Sequence, residues 1–559
     1  MKNKNVNVIY SGWTYTRSIT WIEIGKRLCN IHGWNLSYIV SPDAFFEKNI
    51  HDFPNTLVER FSNKEKFVYG YAYDILTTEK IEKLPCSVPD ATILEKMAPY
   101  EYMAKLIVNE YLPVKNSNRA HKAYLSVIQY WLTIFEYTKP SLVIMDIVPH
   151  HPYDYVLACL AKIMSLPYIC FHPCFGENIN LPISDIDYPF IPGVLSHYCD
   201  LKEKYNMHDL EMVKTSLGLD PRRADRLNTI SNKEIMEILS PENKILKNNV
   251  ELKNDVELKN DVKTKNNYKM YSTCIQNLQK CARFASKELL PFLLSKGVPN
   301  SENIKGFLEW RVLGRLTREL KAIENPHTKL EQEYLKRCTI PDLSRKYIYF
   351  PLHYQPECTT CPLGSYYADQ AMAIKILSKY LPEGWKIYVK EHFSTFHPKF
   401  VGWYARSVED YDDILKNSNI ELVPHNIPSA TLIDHSEAVA TVTGSGGYEA
   451  ILRKKPALTF GFAWYNGCDG VFYVHSNEDC KKALSAISSG FDVNPVQMYL
   501  FMRATEMVGV RASFSELEDV FLDFSITQEE TICNFTQTIS EWWNQQTSSE
   551  IKVEAIRIR

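Results

Sequence analysis

Thr443-Gly444-Ser445-Gly446-Gly447 closes a β-rich run at residues 439–442, and Glu449 follows in the first turn of a helical segment that begins at Tyr448. Lys455-Pro456 and a second strand at residues 457–460 complete a strand, glycine turn, helix, strand order. That order is a βαβ unit. Glycines let backbone close on a ligand, and free N–H groups at a helix start attract anions. A glutamate in that turn suits ribose hydroxyls better than bare phosphate. The residue types therefore point to a nucleotide-sugar site.

Two further polar clusters sit just past expected strand ends. Pro351-Leu352-His353-Tyr354-Gln355-Pro356-Glu357 follows a strand at residues 347–350. Lys390-Glu391-His392 follows one at residues 385–389, with His397-Pro398 beyond. Loops at the carboxyl ends of neighbouring strands converge on one pocket. Lys390 and His392 are candidates for phosphate oxygens, together with Thr443, Ser445 and the amides of Gly444, Gly446 and Gly447. Glu449 is the candidate for the ribose, and Gln355 and Glu357 for base or sugar. Each residue alone also reads as a solvated side chain or a local cap; recurrence in successive βα units gives the set its weight.

In the first half, Asp146 ends a strand and His150 and His151 lie in the loop behind it. Asp154, near the next helix start, reads equally as a general base or as a helix-start charge. Glu177 follows the next strand and is another carboxylate candidate. Catalytic candidates are thus Asp146, His150, His151 and Glu177. Trp13 and Tyr15 are candidates for stacking on an acceptor sugar, with Arg17 for an acidic acceptor group; core packing accounts equally well for the two aromatics. No metal site is expected. HExxH is absent, and Cys358-Thr359-Thr360-Cys361 has no second pair to complete four ligands. No Walker A motif or GxSxG elbow occurs either.

Strands and helices alternate to position these loops. Strands are expected at residues 6–10, 36–40, 141–146 and 168–172, with helices at 16–31 and 153–164 and a largely helical stretch at 91–137. The second half repeats the pattern, with a helix at 366–380 and strands at 420–422 and 439–442. Such alternation argues for parallel, doubly wound sheets. The expected division is 1–200, an acceptor domain; 201–340, a helical middle; 341–510, a nucleotide-sugar domain; and 511–559, a helical tail. Residues 250–261 repeat VELKND twice, inside a polar stretch at 242–267 too poor in apolar side chains to order itself. Residues 303–324 read as an amphipathic basic helix, either packed within the protein or resting on an anionic membrane surface.

At 559 residues, 45% hydrophobic and 23% charged, the chain has the composition of a multidomain globular protein. A net charge of -3 gives no argument for nucleic-acid binding. Fourteen cysteines scattered through apolar segments suggest reduced thiols and a cytoplasmic setting. The first residues enter a strand directly, without a signal-peptide pattern.

The second half resembles the bacterial capsule polysaccharide synthesis proteins. The resemblance rests on residues 347–352, Gln355-Pro356-Glu357, Lys390-Glu391-His392 and the run from Thr443 to Ala450 continuing to Lys455-Pro456, within residues 345–473. Two departures stand out: His392 is followed by Phe393 where relatives commonly have His-Pro, and the serine-to-glutamate spacing is one residue longer. The resemblance implies a GT-B-like α/β fold, with two Rossmann-like doubly wound domains facing a cleft. It implies a metal-independent glycosyltransferase of surface polysaccharide, using a nucleotide-sugar donor such as CMP-Kdo and a saccharide or glycolipid acceptor, with no cofactor. Peripheral inner-membrane association and a capsule assembly complex are expected with it. Rival readings are a CDP-polyol phosphotransferase of teichoic-acid type, a nucleotide-sugar 2-epimerase, and a non-catalytic polysaccharide-assembly scaffold.

Overall fold

The computed structural model describes residues 6–11, 18–41, 57–60, 87–111, 117–174, 179–187, 190–205, 326–355, 357–397, 402–512 and 526–557. The polar stretch at 242–267 and the basic segment at 303–324 lie outside them. The described residues form two α/β halves, each built on a parallel-rich sheet.

The N-terminal sheet contains β1 (Asn7–Ser11), β2 (Asn35–Ser41), β3 (Leu57–Arg60), β4 (Leu142–Met145), β5 (Tyr168–Cys174) and β6 (Ile179–Ile183). Helix α1 (Ser18–His32) joins β1 to β2. Helices α2 (Ala91–Tyr111) and α3 (Ser117–Thr138) fill the stretch expected to be helical. Helix α4 (Pro152–Ile163) joins β4 to β5. β4, Leu-Val-Ile-Met, is buried at all four positions, as a central parallel strand covered on both faces must be. Residues 152–161 of α4 are all buried, because α2 and α3 cover the side that the sheet does not. Trp131 of α3 locks this layer by donating Nε1–H to the Tyr153 carbonyl at 2.8 Å.

β5 runs two residues past its expected end. Residues 170–174 pair antiparallel with β6, a hairpin partner that the sequence reading did not identify. Helix α5 (Pro192–Lys204) then leads toward the second half.

After α6 (Pro326–Arg337), the C-terminal sheet uses β7 (Tyr347–Pro351), β8 (Lys386–Lys390), β9 (Ile420–Val423), β10 (Ala438–Thr441), β11 (Ala457–Thr459) and β12 (Val471–Tyr473). Its order is β12-β11-β10-β7-β8-β9, and every pairing is parallel. Helices α7 (Gln370–Tyr380), α8 (Val408–Ile414), α9 (Ser429–His435), α10 (Gly446–Leu452) and α11 (Asn477–Ser488) connect it.

The chain then returns. Helix α12 (Val496–Val508) packs on α5, and β13 (Val510–Arg511) adds antiparallel to β6 at the edge of the N-terminal sheet. Helix α13 (Gln528–Arg557) lies against α1, where Glu529 takes both Nη atoms of Arg27 at 2.9 and 2.7 Å and Trp543 meets Trp34 edge-on. The last described segment is thus part of the N-terminal half. The halves share a core: Cys361, Leu363 and Phe462 of the second pack with Val148, Tyr153 and Tyr155 of the first.

Candidate functional site

Each sheet reverses its strand order once at its middle, between β7 and β10 in the C-terminal half and between β1 and β4 in the N-terminal half. Loops leaving the two strands at such a point diverge and open a crevice at their carboxyl ends. The loops after β7 and β10 are the His353 segment and the glycine turn. The loop after β4 carries His150 and His151; the loop after β1, with Trp13, Tyr15 and Arg17, lies outside the described residues, as does Glu177.

His353 ties the two C-terminal loops together. Its Nε2 accepts the Thr443 N–H at 3.2 Å and lies 3.1 Å from Thr441 Oγ1, which accepts the Gly444 N–H at 3.1 Å. The His353 backbone N–H donates to Gln370 Oε1 at 2.7 Å. Burial, reinforced by His392 and Arg406, lowers the His353 pKa to about 3. A ring that must accept an N–H through Nε2 is thereby kept neutral.

Three of the turn's amides are used internally, since Gly447 N–H reaches the Gly444 carbonyl at 3.2 Å. The Ser445 and Gly446 amides have no partner among the described residues. Gly447 is required sterically: a Cβ there would stand 2.2 Å from Tyr465 Oη. Glu449 is half-exposed in the first turn of α10.

The Lys390-Glu391-His392 segment sends its side chains three ways. Lys390, 9% exposed, donates to the Ile427 carbonyl at 2.8 Å and Ser429 Oγ at 2.7 Å, beneath the ring of Tyr349. Burial lowers its pKa to about 8, against the opposing pull of Glu449. Glu391 is fully buried on the opposite face. Its Oε2 accepts Arg406 Nε–H at 2.8 Å and Tyr411 O–H at 2.9 Å, and its Oε1 accepts the His392 N–H at 2.8 Å. His392 caps the following turn, with Nδ1 accepting the Ser394 N–H at 3.2 Å, which leaves Nε2 as its second ring nitrogen. Gln355 donates to the Ala368 carbonyl at 2.9 Å, and Glu357 accepts from Thr359 Oγ1 at 2.9 Å; both brace the loop that contains them.

In the N-terminal crevice, His150 Nδ1 lies 2.7 Å from the Val148 carbonyl. A carbonyl only accepts, so Nδ1 carries the proton and Nε2 keeps its lone pair. Asp154 and His151 form a capping box at the start of α4, the helix-start alternative considered for Asp154. The Asp154 carboxylate accepts the His151 N–H at 2.6 Å and lies 3.2 Å from His151 Nδ1. Burial pushes Asp154 up to about 7 and lowers His150 and His151 to about 4 and about 3. His150, His151 and Asp154 have ligand-type atoms within 4.8 Å of one another; the sequence pattern offers the His150-His151 pair as too weak a metal motif alone, and Asp154 is the residue the fold adds to it. Asp146 is buried at the end of β4, with its N–H on the Ser11 carbonyl at 3.2 Å.

The two crevices are linked by one turn. Thr443 Oγ1 donates to the Thr359 carbonyl at 2.5 Å, and Cys358 of the same turn packs against the N-terminal core. His353, Thr441, Glu391, Arg406 and Tyr411 organise this site, and sequence reasoning assigned none of them a role. The available signal was the charged cluster Lys390-Glu391-His392 at the end of β8, in which Glu391 falls on the face opposite Lys390.

Residues 353–485 match the family described as capsule polysaccharide biosynthesis protein. No curated protein matches the chain. Among solved structures, similarity is found to a beta Kdo 2,7 transferase, KpsC, of Thermosulfurimonas dismutans. That match has 14% identity and a TM-score of 0.23, and covers 38% of this chain and 60% of that one. The beta Kdo 2,4 transferase of the same KpsC has 17% identity and a TM-score of 0.21, covering 33% of this chain and 54% of that one. A UDP-GlcNAc 2-epimerase from Neisseria meningitidis has 9% identity and a TM-score of 0.21, over 90% of this chain and 98% of that one. The chain thus spans less than two thirds of the length of the two Kdo transferases.

Proposed function

We propose that this chain, whose residues 353–485 match the capsule polysaccharide biosynthesis family, is a glycosyltransferase of surface polysaccharide synthesis. One observation carries the reading. The matched segment begins at His353 and contains the glycine turn, the two loops that His353 joins at the strand-order reversal. A nucleotide-activated sugar, CMP-Kdo in the first instance, occupies that crevice.

The leaving phosphate meets the Ser445 and Gly446 amides and His392 Nε2, so its charge is met by fixed donors without a metal ion. Glu449 accepts from the ribose, and Lys390 holds Ser429 beside it. His150 Nε2 takes the proton of the acceptor hydroxyl. The acceptor oxygen bonds to the anomeric carbon, and the anomeric C–O bond breaks with its electron pair leaving on the nucleotide. His150 is unprotonated at neutral pH, as a base must be, and the Val148 carbonyl fixes its tautomer. Among the described residues no helix is long and apolar enough to cross a membrane.

The test is thermal stability of the full chain against CMP, CDP, UDP, GDP and ADP, since a ligand selective for the folded state raises the midpoint. A CMP shift retained in His150→Gln, with transfer reduced about 10²–10⁴-fold, is expected. A CDP-selective shift would transfer the reading to polyol phosphate. No shift with any nucleotide would end the donor-site assignment.

A further inference from the structure

A second cavity, of about 270 Å³, opens between the two halves beside the crevice and contains none of the nucleotide-binding residues proposed above. Tyr100, Tyr102 and Asp187 of the N-terminal half line it, as do Tyr366, Phe462 and Tyr473 of the C-terminal half. Tyr366 is 63% exposed and Tyr102 47% exposed, so two large rings from opposite halves stand open to a ligand. The carboxylate is held in place: Tyr100 Oη donates to Asp187 Oδ2 at 2.8 Å, and Lys162 reaches Asp187 at 2.6 Å and also pairs with Asp185.

The cavity connects to both sides of the proposed chemistry. Val148, whose carbonyl anchors His150, forms part of its wall. Gly461, also in the wall, lies against Thr443 of the glycine turn; a Cβ on it would stand 2.8 Å from Thr443 Cγ2.

We infer that this cavity is the acceptor subsite and that it takes an uncharged pyranoside. The inference rests on the glycosyltransferase reading above. Aromatic rings offer flat apolar area for the C–H face of a sugar, and Asp187 accepts from its hydroxyls. No Lys or Arg lines the cavity, and Lys162 is already committed to two carboxylates. A phosphate or uronate would face Asp185 and Asp187, which already share the single charge of Lys162, and in the wall only the His475 ring could add positive charge.

The experiment is saturation-transfer NMR on the full chain with methyl β-galactopyranoside, N-acetylglucosamine and maltotriose, and with glucuronate as the anionic comparison. At least one neutral sugar binds, and glucuronate binds at least tenfold more weakly. Tyr366→Ala and Asp187→Asn each weaken the neutral sugar about tenfold and leave the CMP thermal shift unchanged. Binding of glucuronate as tight as that of the neutral sugars, equal binding by both variants, or no binding of any neutral sugar would overturn the acceptor assignment. Loss of the nucleotide shift in the unmodified chain would instead overturn the donor reading, so the two failures are separable.

Discussion

Arg406→Met tests whether the crevice floor depends on a buried charge pair. Arg406 is 9% exposed at its side chain and Glu391 is not exposed at all. The substitution keeps the apolar stem and removes the charge. Glu391 is left with three neutral donors: Tyr411 O–H at 2.9 Å, His392 N–H at 2.8 Å and Thr395 O–H at 3.3 Å. Breaking a buried pair from one side costs about 3–5 kcal/mol, and these remaining donors place the cost near the lower end, about 3 kcal/mol. For a unit the size of the C-terminal half, that corresponds to a fall in unfolding midpoint of roughly 6–12 °C.

Scanning calorimetry or far-UV melting of the full chain reads the effect, with two comparisons built in. Lys336→Met removes a solvent-exposed ion pair with Glu333 and moves the midpoint little. The double variant Glu391→Gln/Arg406→Met removes both charges and recovers most of the loss, because an uncharged pair leaves no stranded ion. If Arg406→Met melts like Lys336→Met, or the double variant melts below the single one, the reasoning is refuted. Arg406 also donates Nη2–H to the His353 carbonyl at 3.3 Å, so the single variant additionally loosens the nucleotide loops and reduces the CMP shift.

His353→Ala strands the Thr443 N–H, costs about 1–3 kcal/mol in urea unfolding and weakens CMP binding. Unchanged CMP binding would separate His353 from the donor site. Gly447→Ala forces its Cβ to within 2.2 Å of Tyr465 Oη and lowers stability by about 1–3 kcal/mol. Tyr465→Phe on that background, removing the nearest atom, recovers part of the loss in the same urea titration. Burial lowers Lys390 to about 8 from 10.5, so between those pH values the unfolded chain binds more protons than the folded one. Stability from this group therefore rises with pH across that window, by about 3 kcal/mol in all. Lys390→Met abolishes the rise, read as the difference between the two proteins' urea midpoints at pH 7.5 and 10.5.

The strands that frame the candidate site were legible because they are short apolar runs bounded by turn residues, as at residues 347–350 and 439–442. β6 and β13 were not. β6 contains Pro182, and β13 is two residues long; each is a strand only because the other part of the chain arrives beside it. The placing of Lys390 and Glu391 on opposite faces follows from the two-residue period of a strand and was available in advance. That Glu391 points inward was not, since its partners Arg406 and Tyr411 lie 15 and 20 residues away. His353 lay inside a quoted motif, but its function comes from Thr441 and Thr443, 88 and 90 positions on.

These long-range ties bear on how the proposed transfer would work. Transfer needs the donor's anomeric carbon and the acceptor oxygen held at near-contact distance, and small errors in that distance are costly. Here the glycine turn is bonded to the Thr359 carbonyl, and the turn that carries Thr359 is packed through Cys358 and Cys361 into the core holding Val148 and Tyr153. His150 hangs from Val148 by its own Nδ1–H. The donor turn and the proposed base are therefore positioned through one continuous packed segment rather than by two independent domains. The aromatic cavity borders that same segment at Pro362 and Leu363. A substitution that loosens the Cys358–Cys361 turn is then expected to act on the proposed donor, base and acceptor positions together. One that alters Glu449 or Tyr366 acts on a single ligand.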